Sequence, residues 1–271
     1  SPSGCRRLGV HRPISTRSFY NQAMLTFDEH LIQRLRAAQR LVVLTGAGTS
    51  AESGIPTFRD VLTGLWENFD PQQLATPDAF LADPELVWGW YEWRRGKVLR
   101  CRPNPAHQAI AAMQQHVGQL AVVTQNVDDL HERAGSRDVI HLHGSLHEPR
   151  CFDCGRSYSY SSDIPDEPEG GRRVAPPRCT DCGGLVRPGV VWFGESLPVD
   201  QWQRAQQLSS ECDVLLSVGT SSVVYPAAQL PHLAKASGAT VVQINPDSTG
   251  LDGALDFNLS GKAGEVLPEL V

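Results

Sequence analysis

An α/β architecture built on a doubly wound parallel sheet is the fold class this sequence predicts, and three observations predict it. Continuous apolar runs of strand length recur along the chain. Segments with helical apolar spacing lie between them, as crossovers joining parallel strands require. A glycine-rich stretch directly follows the first run, where an open parallel sheet turns into its first helix.

In chain order, residues 1–26 stand apart as a leader expected to lack fixed structure. Arg6, Arg7, Arg12 and Arg17 occur in it before the first methionine, Met24, with no acidic residue among positions 1–23. An organelle transit peptide is the other reading of such a segment. Leu31, Ile32 and Leu35 then share one face of an amphipathic helix, with Asp28 and Glu29 in its first turn. The apolar runs at 41–44, 120–123, 214–218 and 241–244 read as strands buried on both faces. Pro105 to Val117, Trp202 to Ser210 and Pro226 to Ser237 supply helical crossovers. Two stretches break the rhythm. Residues 74–100 are helical and dense in aromatics (Trp88, Trp90, Tyr91, Trp93), and 151–187 are rich in Cys, Pro, Gly and charge. Together they are expected to form a smaller module, from a helical excursion at about 66–104 and a segment at about 147–188, within one domain over 27–271.

The chain has 271 residues, with 24 Lys plus Arg against 30 Asp plus Glu, a formal charge of −6. That acidity argues against a broad nucleic-acid groove, and direct nucleic-acid binding is not expected. No uncharged apolar run reaches the ~18–20 residues that a membrane span needs. Seven cysteines, four of them in two CxxC pairs, suggest a reducing compartment and metal ligation rather than disulfides.

Three constellations carry chemistry. Gly46-Ala47-Gly48-Thr49-Ser50-Ala51-Glu52-Ser53-Gly54 follows the first strand. Its glycines would let backbone approach a pyrophosphate, and the next helix would offer unpaired N–H groups at its N-terminus. It departs from the G-x-G-x-x-G fingerprint, since Ser50-Ala51 follow and the third glycine comes late. Cys151-x-x-Cys154 and Cys179-x-x-Cys182 are separated by 24 residues. Two such hairpins complete a tetrahedral four-thiolate site for one structural zinc, closed to catalysis. Cys5, Cys101 and Cys212 read as ordinary thiols. Thr124-Gln125-Asn126-Val127-Asp128-Asp129-Leu130-His131 ends the second strand, where open parallel sheets bind ligands. Ile140-His141-Leu142-His143-Gly144-Ser145 follows, and alternation puts His141 and His143 on one face if the strand persists.

In order along the chain, GAGTSAESGIPTFRD, TQNVDDLH, HLHGS, the two CxxC pairs, GVVWFGE (Gly189 to Glu195), Gly219-Thr220-Ser221 and Asn245-Pro246-Asp247 resemble the sirtuins over about residues 27–271. Ala51-Glu52-Ser53 and the Tyr91-x-x-Arg94 pair look most like the class III branch. That resemblance implies a Rossmann-like sheet and an NAD-dependent protein-lysine deacylase that consumes NAD as co-substrate. Nicotinamide, free lysine and O-acyl-ADP-ribose would be its products. By the same resemblance, His143 is the general base and Asn126 the second catalytic residue. Gly46, Ala47, Gly48, Thr49, Ala51, Glu52, Pro56, Phe58, Arg59 and Leu65 would line the NAD pocket. Gln125, Asn126, Asp128 and His143 would meet the nicotinamide and its ribose. Gly219, Thr220 and Ser221 would take the phosphates and nearby ribose, Asn245 and Asp247 the adenosine ribose, and Ala263 the adenine. Val191, Trp192, Phe193, Gly194 and Glu195 would pair with substrate backbone as an added strand.

Two departures from the family pattern stand out: Asp60 to Leu65 reads one residue long, and Val127 replaces an isoleucine. Tyr91 and Arg94, three apart on a helix, would hold the carboxylate of a succinyl-, malonyl- or glutaryl-lysine, with acetyl-lysine also accepted. The partners implied are acyl-lysine proteins, in a cytoplasmic monomer; a transit-peptide reading of the leader would make it mitochondrial. A mono-ADP-ribosyltransferase or lipoamidase on the same fold, and a non-enzymatic zinc-ribbon module, are the competing classes.

Overall fold

The computed structural model describes residues 26–56, 70, 74–160, 168, 171–251 and 253–271. Helix α1 (Glu29–Ala37) starts where the Asp28 carboxylate accepts the His30 N–H at 2.7 Å, and it buries Leu31. Strand β1 (Arg40–Thr45) follows, then the short helix α2 (Ala47–Ala51). Thr76 caps α3 (Pro77–Ala82) and Asp83 caps α4 (Pro84–Arg100), each with proline in the first turn. Asn104 closes a capping box with His107 on α5 (Pro105–Met113). Next come β2 (Gln119–Thr124), α6 (Leu130–Ala134), β3 (Val139–His141), β4 (Gly144–Cys151) and β5 (Val186–Val190). The chain continues through α7 (Val199–Glu211), β6 (Val214–Val218), α8 (Leu230–Ala236), β7 (Thr240–Asn245), β8 (Phe257–Ser260) and α9 (Ala263–Val266).

Six strands form one sheet in the order β3-β2-β1-β6-β7-β8, every pairing parallel. Alternate residues of the central strands feed two cores. Leu41, Val43, Leu216 and Val218 pack with Leu31, Ile110, Met113 and Val266 on one face. Val42, Leu44 and Leu215 pack with Ala205, Leu230 and Ala234 on the other. Burial of each large aliphatic side chain stabilises by about 1.5–3 kcal/mol, so both faces contribute, and the doubly wound expectation holds.

The third core belongs to the smaller module. Phe80, Val87, Trp90, Tyr91 and Trp93 pack with Leu146, Val190 and Trp192. Helix α4 is buried nearly all round, which explains its lack of an amphipathic stripe. Its Arg95 is buried against Glu92 in a bidentate pair at 2.9–3.0 Å, with the guanidinium over the Tyr160 ring. Strands β4 and β5 form a separate antiparallel pair that leads from the main sheet to the four cysteines. No described helix is long and apolar enough to cross a membrane.

Candidate active site and metal centre

The strand order reverses direction between β1 and β6, and there the two glycine turns meet. The Gly48 N–H donates to the Gly219 carbonyl at 2.8 Å, and the Gly46 N–H to the Val218 carbonyl at 3.1 Å. A Cβ on Gly48 would lie 2.8 Å from the Gly219 oxygen, and Gly219 itself has φ +57°. Glycine is therefore demanded here by backbone crossing. The expected row of unpaired N–H groups is reduced accordingly: α2 has only five residues and its Gly48 N–H is committed. The Thr49 hydroxyl is buried on the Val218 carbonyl at 3.1 Å, while Ala47, Ala51 and Glu52 are exposed beside it. The Glu52 carboxylate accepts the Gly264 N–H at 3.1 Å, tying α2 to the start of α9 next to Ala263.

The polar cluster after β2 folds back onto these turns. Asn126 Nδ2 donates to the Gly46 carbonyl at 3.0 Å and to Ser50 Oγ at 3.1 Å. Ser50 in turn donates to Asp128 Oδ2 at 2.9 Å, and Gln125 Nε2 to Thr220 Oγ1 at 3.1 Å. Burial pushes the Asp128 carboxyl up, opposed by its bonds from Leu130 N–H and Ser50. Asn245, at the end of β7, donates to the Asp247 carbonyl at 3.2 Å within its own turn, and Ser221 is exposed beside Thr220. Pro56 is half-buried. Phe58, Arg59 and Leu65, with the longer 60–65 stretch, lie outside the described residues.

Strand β3 stops at His141, so His143 sits in the turn before β4 and the alternation argument does not apply. Both histidines nevertheless serve the same loop. His143 Nδ1 bonds the Gln125 carbonyl at 3.0 Å, and His141 Nδ1 the Asn126 carbonyl at 3.2 Å. A carbonyl only accepts, so Nδ1 of His143 carries the proton and Nε2 keeps its lone pair. Burial lowers the His143 pKa from 6.5, which favours that neutral form.

His143, Tyr91 and Arg94 line one cavity of about 760 Å³, walled by Val127, Val190 and Trp192. The Tyr91 hydroxyl accepts the Trp192 Nε1–H at 3.0 Å, and its burial strongly disfavours the phenolate. The Arg94 guanidinium lies 5.1 Å from the centre of the Trp90 ring.

The segment from Val191 to Glu195, expected to pair with substrate backbone, ends in a turn, with Gly194 at φ +86°. Its Val191, Trp192, Phe193 and Glu195 N–H groups already bond within the chain. Glu195 is engaged by Arg187, whose guanidinium stacks 3.5 Å over Trp192. Its carboxylate thus braces the turn that carries Trp192 and Phe193.

Sequence reasoning missed Arg187, and it passed over Ser50, although that residue lay inside the glycine motif. It missed His107 and passed over His131, the last residue of the 124–131 constellation; the two are buried with ring centres 4.8 Å apart beneath the same cluster. Ser50 Oγ is 3.5 Å from His107 Nε2, and Thr45 Oγ1 is 3.0 Å from His131 Nε2. Burial lowers their pKa values to about 4 and about 3, respectively. No sequence period marks them.

Cys151, Cys154, Cys179 and Cys182 converge, all four Sγ atoms within 4.8 Å of one another. Cys151 and Cys182 are 3.4 Å apart, Cys154 and Cys179 3.8 Å. A tetrahedral zinc with ~2.3 Å bonds to sulfur has edges of about 3.8 Å, so the set fits that ion. Gly155 and Gly183, at φ +71° and +76°, close matching knuckles by donating to the Cys151 and Cys179 carbonyls. Four thiolates leave no open coordination position, as a structural zinc requires.

Comparison with known proteins agrees with this geometry. A family model described as "Sir2 family" matches residues 46–226. The chain is 60% identical over 247 residues to an NAD-dependent protein deacylase of Methylococcus capsulatus, covering 91% of this chain and 97% of that one. It is 60% identical over 241 residues to NAD-dependent protein deacylase 1 of Pseudomonas aeruginosa, covering 89% and 96%. A crystal structure of a Sir2 homologue–NAD complex superposes with a TM-score of 0.82 at 50% identity, covering 90% of this chain and 93% of that one. With the crevice, the histidine turn and the four-cysteine centre in their places, this chain belongs to the Sir2 family, the sirtuins.

Proposed function

We propose that this NAD-dependent protein deacylase removes acidic acyl groups (succinyl, malonyl and glutaryl) from lysine, and acetyl groups as well. The observation that carries the acyl preference is the sharing of one largely apolar cavity by Arg94, Tyr91 and the His143 ring. Tyr91 already accepts from Trp192, so its own proton is available to a carboxylate. Arg94 supplies charge at the same wall, where a charged partner strengthens hydrogen bonds. The aliphatic part of an acyl-lysine suits the walls formed by Val127, Val190 and Trp192.

The donor set at the carboxyl ends of β1, β2 and β6 suits NAD. Asn126, Gln125 and Asp128 offer amides and a carboxylate to the carboxamide and ribose, and Gly219, Thr220 and Ser221 lie across the crevice for the phosphates. When bound, NAD would supply the ribose carbon and hydroxyl groups that accept the acyl group, with nicotinamide as the leaving group. His143 does the proton work at Nε2: its Nδ1–H is anchored on the Gln125 carbonyl, and burial keeps the ring neutral at cellular pH. Ser50 holds the Asn126 amide and the Asp128 carboxylate together, fixing both side chains before a ligand arrives. The four-cysteine centre holds the small module and takes no part in proton movement.

The test is nicotinamide release from matched acetyl, succinyl, malonyl and glutaryl peptides. A higher kcat/KM for the acidic acyl groups supports the reading. Equal or lower values refute the acyl preference and leave the deacylase activity standing.

A further inference from the structure

We propose that His141 is a positioning residue that works as an imidazolium, locking the Gln125–Asp128 loop through an ion pair with Glu132, while His143 two residues on works neutral. This rests on the reading above that Asn126 and Asp128 contact the bound NAD.

Each His141 ring nitrogen faces an atom that only accepts. Nδ1 lies 3.2 Å from the Asn126 carbonyl, and Nε2 lies 2.7 Å from Glu132 Oε1. Two acceptors require two ring hydrogens, which is the charged form. Among the described residues, His143 makes one ring hydrogen bond, from Nδ1 to the neighbouring carbonyl of Gln125. Consecutive carbonyls of one loop are therefore held by two histidines in opposite protonation states.

The consequence falls on Asn126. Its N–H donates to Thr124 Oγ1, its Nδ2 to Gly46 and Ser50, and its carbonyl accepts from His141. Among the described residues, that leaves Oδ1 as the acceptor for a ligand. The charge-assisted chain Glu132–His141–Asn126 fixes the backbone from which that amide projects. Its outer end is open to water, the Glu132 side chain being 42% exposed.

The groups facing His141 agree with a charged ring. Glu132 on α6 and Asp128 in the loop are both acidic. His131 on α6 is kept neutral by its own burial. Asp138, just before β3, is engaged by Arg204 of α7 at 2.7 Å. Burial works against the His141 charge, but the Glu132 hydrogen bond and field raise its pKa above 6.5. Raising the pH through that value removes the Nε2 proton and breaks the ion pair, so binding of NAD weakens on the alkaline side. Lowering the pH through the His143 value protonates the base, so turnover falls on the acid side.

The experiment follows nicotinamide release with an acyl-peptide at saturation, from about pH 5.5 to about pH 9.5. It compares the wild-type protein with Glu132→Gln, His141→Gln and His143→Ala. In the wild type, KM for NAD should rise on the alkaline side while the acid limb appears in kcat. Glu132→Gln should move the alkaline rise to lower pH. His141→Gln should abolish that rise and leave a several-fold higher KM for NAD at every pH, with kcat changed much less. An alkaline limb unmoved in both variants, or a wild-type KM for NAD in His141→Gln, would overturn the proposal.

A second measurement needs no variant at the dyad to fold. Nitrogen-15 NMR of the histidine rings in the wild-type protein should show both His141 nitrogens protonated near neutral pH. A neutral His141 there overturns the idea as well. His143→Ala separates the two levels: retained turnover in that variant sinks the proposed function itself, whatever His141 does.

Discussion

Arg94→Met is the most discriminating change available in the acyl cavity. Methionine keeps an unbranched apolar stem of similar reach, so the walls formed by Val127, Val190 and Trp192 stay in place. What disappears is the guanidinium and its charge-assisted hydrogen bonding to a distal carboxylate. Such bonds contribute about 1.5–3 kcal/mol, and at ~1.36 kcal/mol per decade the loss is roughly 13- to 160-fold in kcat/KM. Acetyl-lysine has no carboxylate, so its turnover should change little. The variant also loses the cation–π contact to Trp90, worth about 0.5–1 kcal/mol at a half-exposed site, so a Tm drop of a few degrees is the accompanying cost. The assay is nicotinamide release with paired acetyl and succinyl peptides under identical conditions. The loss should appear in KM if the carboxylate contact is equal in ground and transition states. Parallel losses on both peptides would refute the reasoning, because they would assign Arg94 to the fold.

Other consequences are equally direct. Tyr91→Phe should weaken succinyl turnover less than Arg94→Met, and should cost about 1–3 kcal/mol of stability by stranding the buried Trp192 Nε1–H, read by denaturant melts. His143→Ala should abolish deacylation with unchanged circular dichroism, and wild-type kcat should fall with a midpoint below pH 6.5 as the ring protonates. Chelation, or Cys151→Ser or Cys179→Ser, should unfold the small module and remove activity indirectly; metal analysis of the native protein should return one zinc per chain. His107 and His131 have folded pKa values of about 4 and about 3, below the unfolded 6.5. The stability they contribute is therefore complete above pH 6.5 and is lost as pH falls toward those values. Tm should decline between about pH 6.5 and about pH 4, more shallowly in His107→Gln.

The four inner strands of the sheet were legible in the sequence because a strand buried on both faces is apolar almost throughout, as 41–44 is and as 214–218 is apart from the buried Ser217. The zinc centre was legible because a tetrahedral ion needs thiolates in pairs at fixed local spacing, and both CxxC pairs carry a glycine for the knuckle. Residue types at and just after strand ends likewise marked Asn126, Asp128 and His143 as candidates, and the structure brings them to the same loop region. Other features required the tertiary structure, because their partners are distant in the chain. Strand β8, half-exposed at the sheet edge, lacks a continuous apolar run, and β4 and β5 pair across the whole cysteine segment. The turn at 191–195 follows from Arg187 claiming Glu195, a contact invisible to local pattern. The surroundings of His141 and His143 are the clearest case. Two identical side chains stand two positions apart, and among the described residues the Glu132 carboxylate meets the His141 ring, while His143 bonds the Gln125 carbonyl, a difference that no local pattern announces.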